Sequence, residues 1–465
     1  MGAGAVELAE QPKVAAGYRQ YVLAVLAVTY VVNVMDRSVL GAVLEPIRRE
    51  FHASDKQLGL LGGLAFALFY ATLGVPIAAL ADRTSRRNVI AVCAALWSVM
   101  TALCGMAQSF TALLAARIGT AIGEAGGTPP SHSLISDYFP LSKRATALSL
   151  FALGVPLGGM LGNLFGGWGN DLLGWRLAFV VTGLPGVAVA LLVRFTVREP
   201  RRGLADEPGT AAGATVSAAS AAANTANATA NTANTGNAAA NAAAPPMSAA
   251  IRYLWGRASF RNMSLAAALH SVVWYAGSNF NNSFFVRMHH MTTGQAGSWV
   301  ALLLGIGAIG TLLGGYLADV LSVRTGDRRW YMWVPGVATL AMVPFQCLAY
   351  LGGSLWVAIP SFAVMVILGS MFFGPSFAMA QGLATLRMRA MSISLVLFAQ
   401  TLIGLGLGPF LVGVVSDHLK PVYGDAHALA DGLVIVGLVN LWAAVHYFRG
   451  ARTVRADLEL AARAA

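Results

Sequence analysis

"LADRTSRRN" (residues 80–88) and "LADVLSVRTGDRRW" (317–330) are two versions of one short text in opposite halves of the chain. Each closes an apolar run with Leu-Ala-Asp and then turns basic. A second pair repeats the pattern: "KRATALSLFALGVPLGGMLG" (143–162) and "MRAMSISLVLFAQTLIGLGLG" (388–408) each pass from basic residues into an apolar run. The runs belong to membrane. The chain of 465 residues is 57% hydrophobic and 11% charged, against about 25% charged in soluble domains. Crossing a hydrocarbon core takes roughly 20 apolar residues. Runs of that size lie near 20–43, 56–80, 88–107, 110–137, 145–168 and 175–196, then near 261–286, 295–319, 331–350, 355–384, 390–416 and 428–448. The paired texts fall at matching ordinals, two with eight and five with eleven. That is the mark of a duplicated protein. The expected fold is therefore all-α: twelve transmembrane helices in two pseudo-symmetric six-helix bundles.

Between the halves lies "NTANATANTANTGNAAANAAAPP", without aromatics or amphipathic period, which cannot bury enough apolar surface to order itself. It reads as a flexible tether. The expected organisation is a tail at 1–18, a bundle at 19–198, a linker at 199–258, a bundle at 259–449 and a tail at 450–465. Residues 1–18 lack a signal-peptide pattern, so the first helix is expected to stay. With both termini cytoplasmic, the inner loops and tails hold 23 of the 31 Lys and Arg, and the outer loops hold six: Arg48, Arg49, Lys56, Arg176, Arg287 and Lys420. Such a bias follows the positive-inside rule. The net charge of +11 then reports topology and anionic lipid, with no nucleic-acid partner needed. Cys93, Cys104 and Cys347 sit in apolar runs and read as packing residues.

Away from helix ends, the segments hold four formal charges: Asp36, Arg37, Arg117 and Glu124. Each costs roughly 2.5–3.5 kcal/mol at the bilayer centre on insertion scales. Arg117 and Glu124 are two turns apart and share a face of helix four. Asp36 and Arg37 are adjacent on helix one and cannot face each other, so each needs a partner from the other helix. Asp36 and Glu124 are the expected proton carriers. Arg37 and Arg117 are the expected anion binders, because guanidinium stays charged and grips phosphate or carboxylate with paired donors. The plainer reading is an ion-pair network that only fixes packing.

The second half supplies "VVWYAGSNFNNSFF" (272–285) and "SMFFGPSFAM" (370–379). Asn279, Asn281 and Asn282 are expected at a cavity, since amides facing lipid are costly. Trp274, Tyr275 and Phe373, with Phe280, Phe284, Phe372 and Phe377, are placed opposite the charges. His132 and His270 read as packing residues, with a proton relay as the alternative for His132. "GVPLGG" reads as close packing and "GPSF" as a softened helix.

Twelve helices and "AALADRTSRR" resemble the major facilitator superfamily, whose usual pattern has glycine where Ala78 and Ser85 stand. The resemblance implies a conformational latch built from Asp82, Arg83, Arg86 and Arg87, with Asp319 in the second copy. "NVMDR" (33–37) with "RIGTAIGEAG" (117–126) and "LISDYFP" (134–140) is similar to the Spinster branch of that superfamily. That similarity implies export of lysophospholipids or sphingosine-1-phosphate-like lipids. No phosphate-binding Gly-Lys loop and no intramembrane catalytic constellation is present, so an ATP-driven pump or an enzyme is not expected. The function expected is proton-gradient-coupled secondary transport of an amphipathic anionic solute by a monomer, with no other cofactor or metal, in a bacterial inner membrane. The alternatives are transport of small organic anions, sugar acids or drugs, and a receptor or scaffold on the same fold.

Overall fold

The computed structural model describes residues 15–202, 204–205, 247–385 and 388–463. Most of the tether and of the N-terminal tail lies outside the described residues. The helices follow the twelve apolar segments in order. The N-terminal bundle comprises Ala16–Phe51, Asp55–Arg83, Arg86–Gly105, Phe110–Glu124 continued by Thr128–Tyr138, Leu141–Ala152 continued by Gly154–Leu173, and Trp175–Thr196. The C-terminal bundle comprises Ala258–Met288, Thr293–Thr325, Trp330–Leu351, Leu355–Ser370 continued by Phe373–Gly382, a run from Arg389 through Gly406–Gly437, and Val439–Arg463. Gly424 interrupts that run with φ 75°, a conformation glycine adopts without strain, and so parts segment eleven from twelve.

Nine of the described helices are individually long and apolar enough to cross a membrane. The difference from twelve has physical causes. Segment four is broken at 125–127, segment seven carries its asparagines and serines, and segments eleven and twelve meet at the Gly424 kink with no loop between them and so count as one. The break in segment ten falls immediately before "GPSF", between Ser370 and Phe373.

Helix five packs on helix one through small residues. A Cβ on Gly158 would lie 2.5 Å from the Val31 carbonyl oxygen, and one on Gly162 equally close to that of Met35. Membrane helices associate through such backbone approach, since lipid offers no hydrophobic drive.

Two expected boundaries move. The last helix runs to Arg463 with Ala451 and Val454 buried, and the Asp457 carboxylate accepts from the Ser259 backbone N–H at 2.9 Å. Residues 450–463 are thus part of the bundle and not a loose tail. On the linker side, Met247–Trp255 is already helical, with Leu254 buried.

The bundles meet most tightly at the end remote from the chain termini, called here the far end. Arg287 of helix seven, read above as a loop charge, is 7% exposed in the last turn of its helix. Its Nε donates to Glu45 of helix one at 2.7 Å, and its two Nη atoms donate to Asp55 of helix two at 2.8 and 2.6 Å. Ser416 donates to Asp55 at 2.7 Å, and the Asp417 carboxylate accepts from the backbone N–H groups of Asp55 and Lys56 at 2.9 Å each. An acidic group at those orphan amides suits a helix N-terminus.

Candidate functional site

A cavity of ≈ 440 Å³ lies between the bundles. Its ceiling is where Gly41 and Gly62 of the first bundle approach Ser278 and Asn279 of the second. Leu153 and Leu312, on its lining, are 50% and 69% exposed.

Arg37 and Arg117 both line it. Arg37 donates through Nε and Nη2 to one oxygen of Glu124, at 2.8 and 2.6 Å. This pair joins helix one to helix four, as the spacing argument required. The second expected pair does not form. Both oxygens of Asp36 are buried without a hydrogen bond among the described residues, and so is the other oxygen of Glu124. Arg117 instead donates to the backbone carbonyl of Arg37 at 3.4 Å. The reason is rotational: consecutive residues are 100° apart, so when Arg37 turns to the cavity Asp36 turns into the bundle. The expectation that Asp36 and Arg37 would each find a partner on the other helix is therefore corrected to one ion pair, Arg37 with Glu124. The two arginines line the cavity, and the two carboxyls stand behind.

Sequence reading missed the aromatic that holds this arrangement. Phe66 of helix two lies 5.0 Å from the Arg37 guanidinium carbon and 4.7 Å from that of Arg117, and Tyr70 lies 5.1 Å from Arg37. Ring faces attract guanidinium cations, so one buried ring serves both. Phe66 and Tyr70 are spaced i, i+4 on one helical face, the signal that was available.

Trp274, Tyr275, Phe373 and Asn279 line the opposite wall, as expected. Asn281 and Asn282 do not. Asn281 accepts from the Tyr350 hydroxyl at 2.8 Å inside the second bundle, and Asn282 donates to Asn163 across the bundle interface at 2.8 Å. Phe280, Phe284, Phe372 and Phe377 are core residues. His270 is held between Asn440 and the Gly369 carbonyl, and the His132 ring stands edge-on to Phe151. Both pack, as read.

The basic motif near Asp82 is organised differently from the expectation. Arg86 is its centre, 2.5 Å from Asp137 of helix four and 2.8 Å from Glu199 beyond helix six. Glu199 also accepts from the Ser85 hydroxyl at 3.0 Å and the Arg87 backbone N–H at 2.8 Å, capping helix three. Burial pulls the Glu199 carboxyl upward, but the Arg87 amide and the Arg86 guanidinium outweigh it and hold it below its ordinary value. Asp82 pairs with Arg202 at 3.7 Å, and Arg83 is exposed. In the second copy Asp319 accepts from the Tyr331 hydroxyl, and Asp327 takes Arg329 and Arg455. The acids that matter to Arg86 come from "LISDYFP" and the end of helix six, beyond the reach of a local motif.

Two helical bundles closed at one end over a charged midplane cavity define a membrane transporter of the alternating-access class. The Major Facilitator Superfamily profile matches residues 26–446, and the chain belongs to that superfamily. An "MFS-type efflux pump" of Mycolicibacterium smegmatis is 31% identical over 436 residues, 93% of each chain. The sphingosine-1-phosphate transporter SPNS2 of Danio rerio is 32% identical over 201 residues, covering 43% of this chain and 38% of that one. A solved structure of a bacterial homologue of the human lysosomal transporter Spinster, in an inward-facing and unoccupied conformation, superposes with a TM-score of 0.83. It is 32% identical and covers 96% of this chain and 99% of that one. The chain is thus a Spinster-like transporter.

Proposed function

We propose that this transporter moves an amphipathic anionic lipid, of the lysophospholipid or sphingoid-phosphate kind, and couples that movement to protons. The observation that carries the reading is the cavity's two walls. Arg37 and Arg117 stand on one, Trp274, Tyr275 and Phe373 on the other, a match for a charged head with an apolar body. The end carrying the termini is read as cytoplasmic from the Lys and Arg bias, in the inner membrane of a bacterium. The likeness to an inward-facing Spinster homologue supports that reading.

Coupling follows from the pairing. With Glu124 ionised, Arg37 is occupied, and an anion must displace a carboxylate to reach it. A proton on Glu124 releases Arg37 to the solute. Asp36, buried with no donor on either oxygen among the described residues, is the second carboxyl whose burial a proton eases. The far-end cluster around Arg287 holds the opposite gate shut in this state, and Arg86 with Asp137 and Glu199 ties helices three, four and six as one body.

Uptake of radiolabelled lysophosphatidate into proteoliposomes under an imposed pH gradient tests the reading. Saturable uptake that collapses with the gradient is expected, and binding without movement of label would leave a receptor instead.

A further inference from the structure

The cavity wall contributed by the second bundle is not wholly apolar. Gln400 and Thr401 open the π-helical turn Gln400–Leu405 of helix eleven, and both line the cavity. Gln400 is 5% exposed, and its amide nitrogen makes no hydrogen bond among the described residues. A buried donor without an acceptor is penalised, and native structures leave few of them unfilled. The π-helical turn is itself a rare winding that recurs at functional positions. It is pinned in place, since a Cβ on Gly404 would lie 2.5 Å from the Ser271 side chain of helix seven. Gln400 lines the same cavity as the arginines of the other bundle.

We infer that Gln400, with Thr401 beside it, forms a second polar subsite that takes the uncharged hydrogen-bonding part of the solute, a hydroxyl or ester oxygen carried near its anionic group. The inference rests on the reading of Arg37 and Arg117 as the anion site. A side-chain amide carries two N–H donors and a carbonyl acceptor, so the unpartnered Gln400 nitrogen can donate to a hydroxyl or ester oxygen. The subsite and the arginines belong to different bundles, so a solute engaged at both contacts two bodies that move against each other. Its affinity then differs between conformations, which a ligand must achieve if it is to shift them.

The test is calorimetric titration of the purified full chain with 1-oleoyl-lysophosphatidate and with its 2-deoxy analogue. Wild type should prefer the hydroxylated lipid by about fivefold or more, the scale of one hydrogen bond to a buried partner. Gln400→Met should bind both within about twofold, with its affinity for the deoxy lipid unchanged. Arg117→Ala should weaken both lipids alike. Should Gln400→Met elute aggregated, Thr401→Val carries the same comparison. Equal binding of both lipids by wild type, or a preference that survives Gln400→Met or its substitute, overturns the subsite and leaves the anion site standing if Arg117→Ala still weakens both. Absence of binding by wild type, or no effect of Arg117→Ala, overturns the anion site and the subsite with it.

Discussion

Arg37 and Arg117 carry the same group into the same cavity but stand in different electrostatic company. Arg37 has the Glu124 carboxylate at 2.6 Å, whereas Arg117 has a backbone carbonyl and the Phe66 ring. While Glu124 holds Arg37, Arg117 is the better placed to meet an anion. Arg117→Ala should therefore weaken lysophosphatidate binding about tenfold, where Arg37→Ala costs less. In a Glu124→Gln background, with the carboxylate removed from Arg37, the two losses should converge. Titration calorimetry in the two backgrounds checks this, and equal losses in both would contradict it. The four intramembrane charges were legible because charge inside an apolar run is scarce and costly. Their pairing was only half legible, since spacing along one helix does not set its rotation against another. Phe66 was hidden among the many aromatics of a membrane protein. Arg287 was hidden because it stands at the end of its run, where snorkelling to water is the ordinary reading.

"GVPLGG" was legible as close packing but its partner was not, and the structure supplies it: helix one, met backbone to backbone. Gly162→Val would put a branched side chain where a Cβ is already 2.5 Å from the Met35 carbonyl. The expected outcome is loss of most folded protein on gel filtration, and a wild-type elution profile would count against it. At the far end, Arg287→Gln removes the cation shared by Glu45 and Asp55 and leaves two buried acids without it. Breaking a buried pair costs on the order of 3–5 kcal/mol, and here part of that cost is relieved by opening. Spin labels at His52 and Thr292 should show a longer far-end distance appearing alongside the wild-type one. At the terminal end, Glu199 is held below its ordinary value of 4.5. A depressed carboxyl stabilises above its unfolded value, and that contribution is lost as pH falls through the folded one. Glu199→Gln should thus melt below wild type from pH 8 down to about 5. The gap should close under stronger acid, and a gap independent of pH would show that charge is not what Glu199 contributes. Neither Glu199 nor Asp137 was legible as a partner of Arg86, since both lie more than fifty positions away in the chain and are brought to it only by the bundle.

At the scale of the molecule, the duplicated apolar segments made two bundles legible, while the state of the gates was not, because it depends on contacts between the halves. The far end is closed by Arg287 with Glu45 and Asp55, and the cavity lies between the bundles on the terminal side of that cluster, with Leu153 and Leu312 on its lining. Alternating access then requires that cluster to break and the terminal ends to meet, and under the function proposed above the solute and a proton set which arrangement is favoured. The centre of this account is the exchange at Arg37, where the Glu124 carboxylate and the anionic solute compete for one guanidinium. Glu124→Gln keeps the shape of the pair and removes its charge. The most direct measurement is lysophosphatidate flux in proteoliposomes holding this variant, with and without a pH gradient. The account predicts that the variant still binds and exchanges lipid, with flux that no longer responds to the gradient. Wild-type gradient-driven flux in Glu124→Gln would contradict it and reduce the Arg37–Glu124 pair to packing.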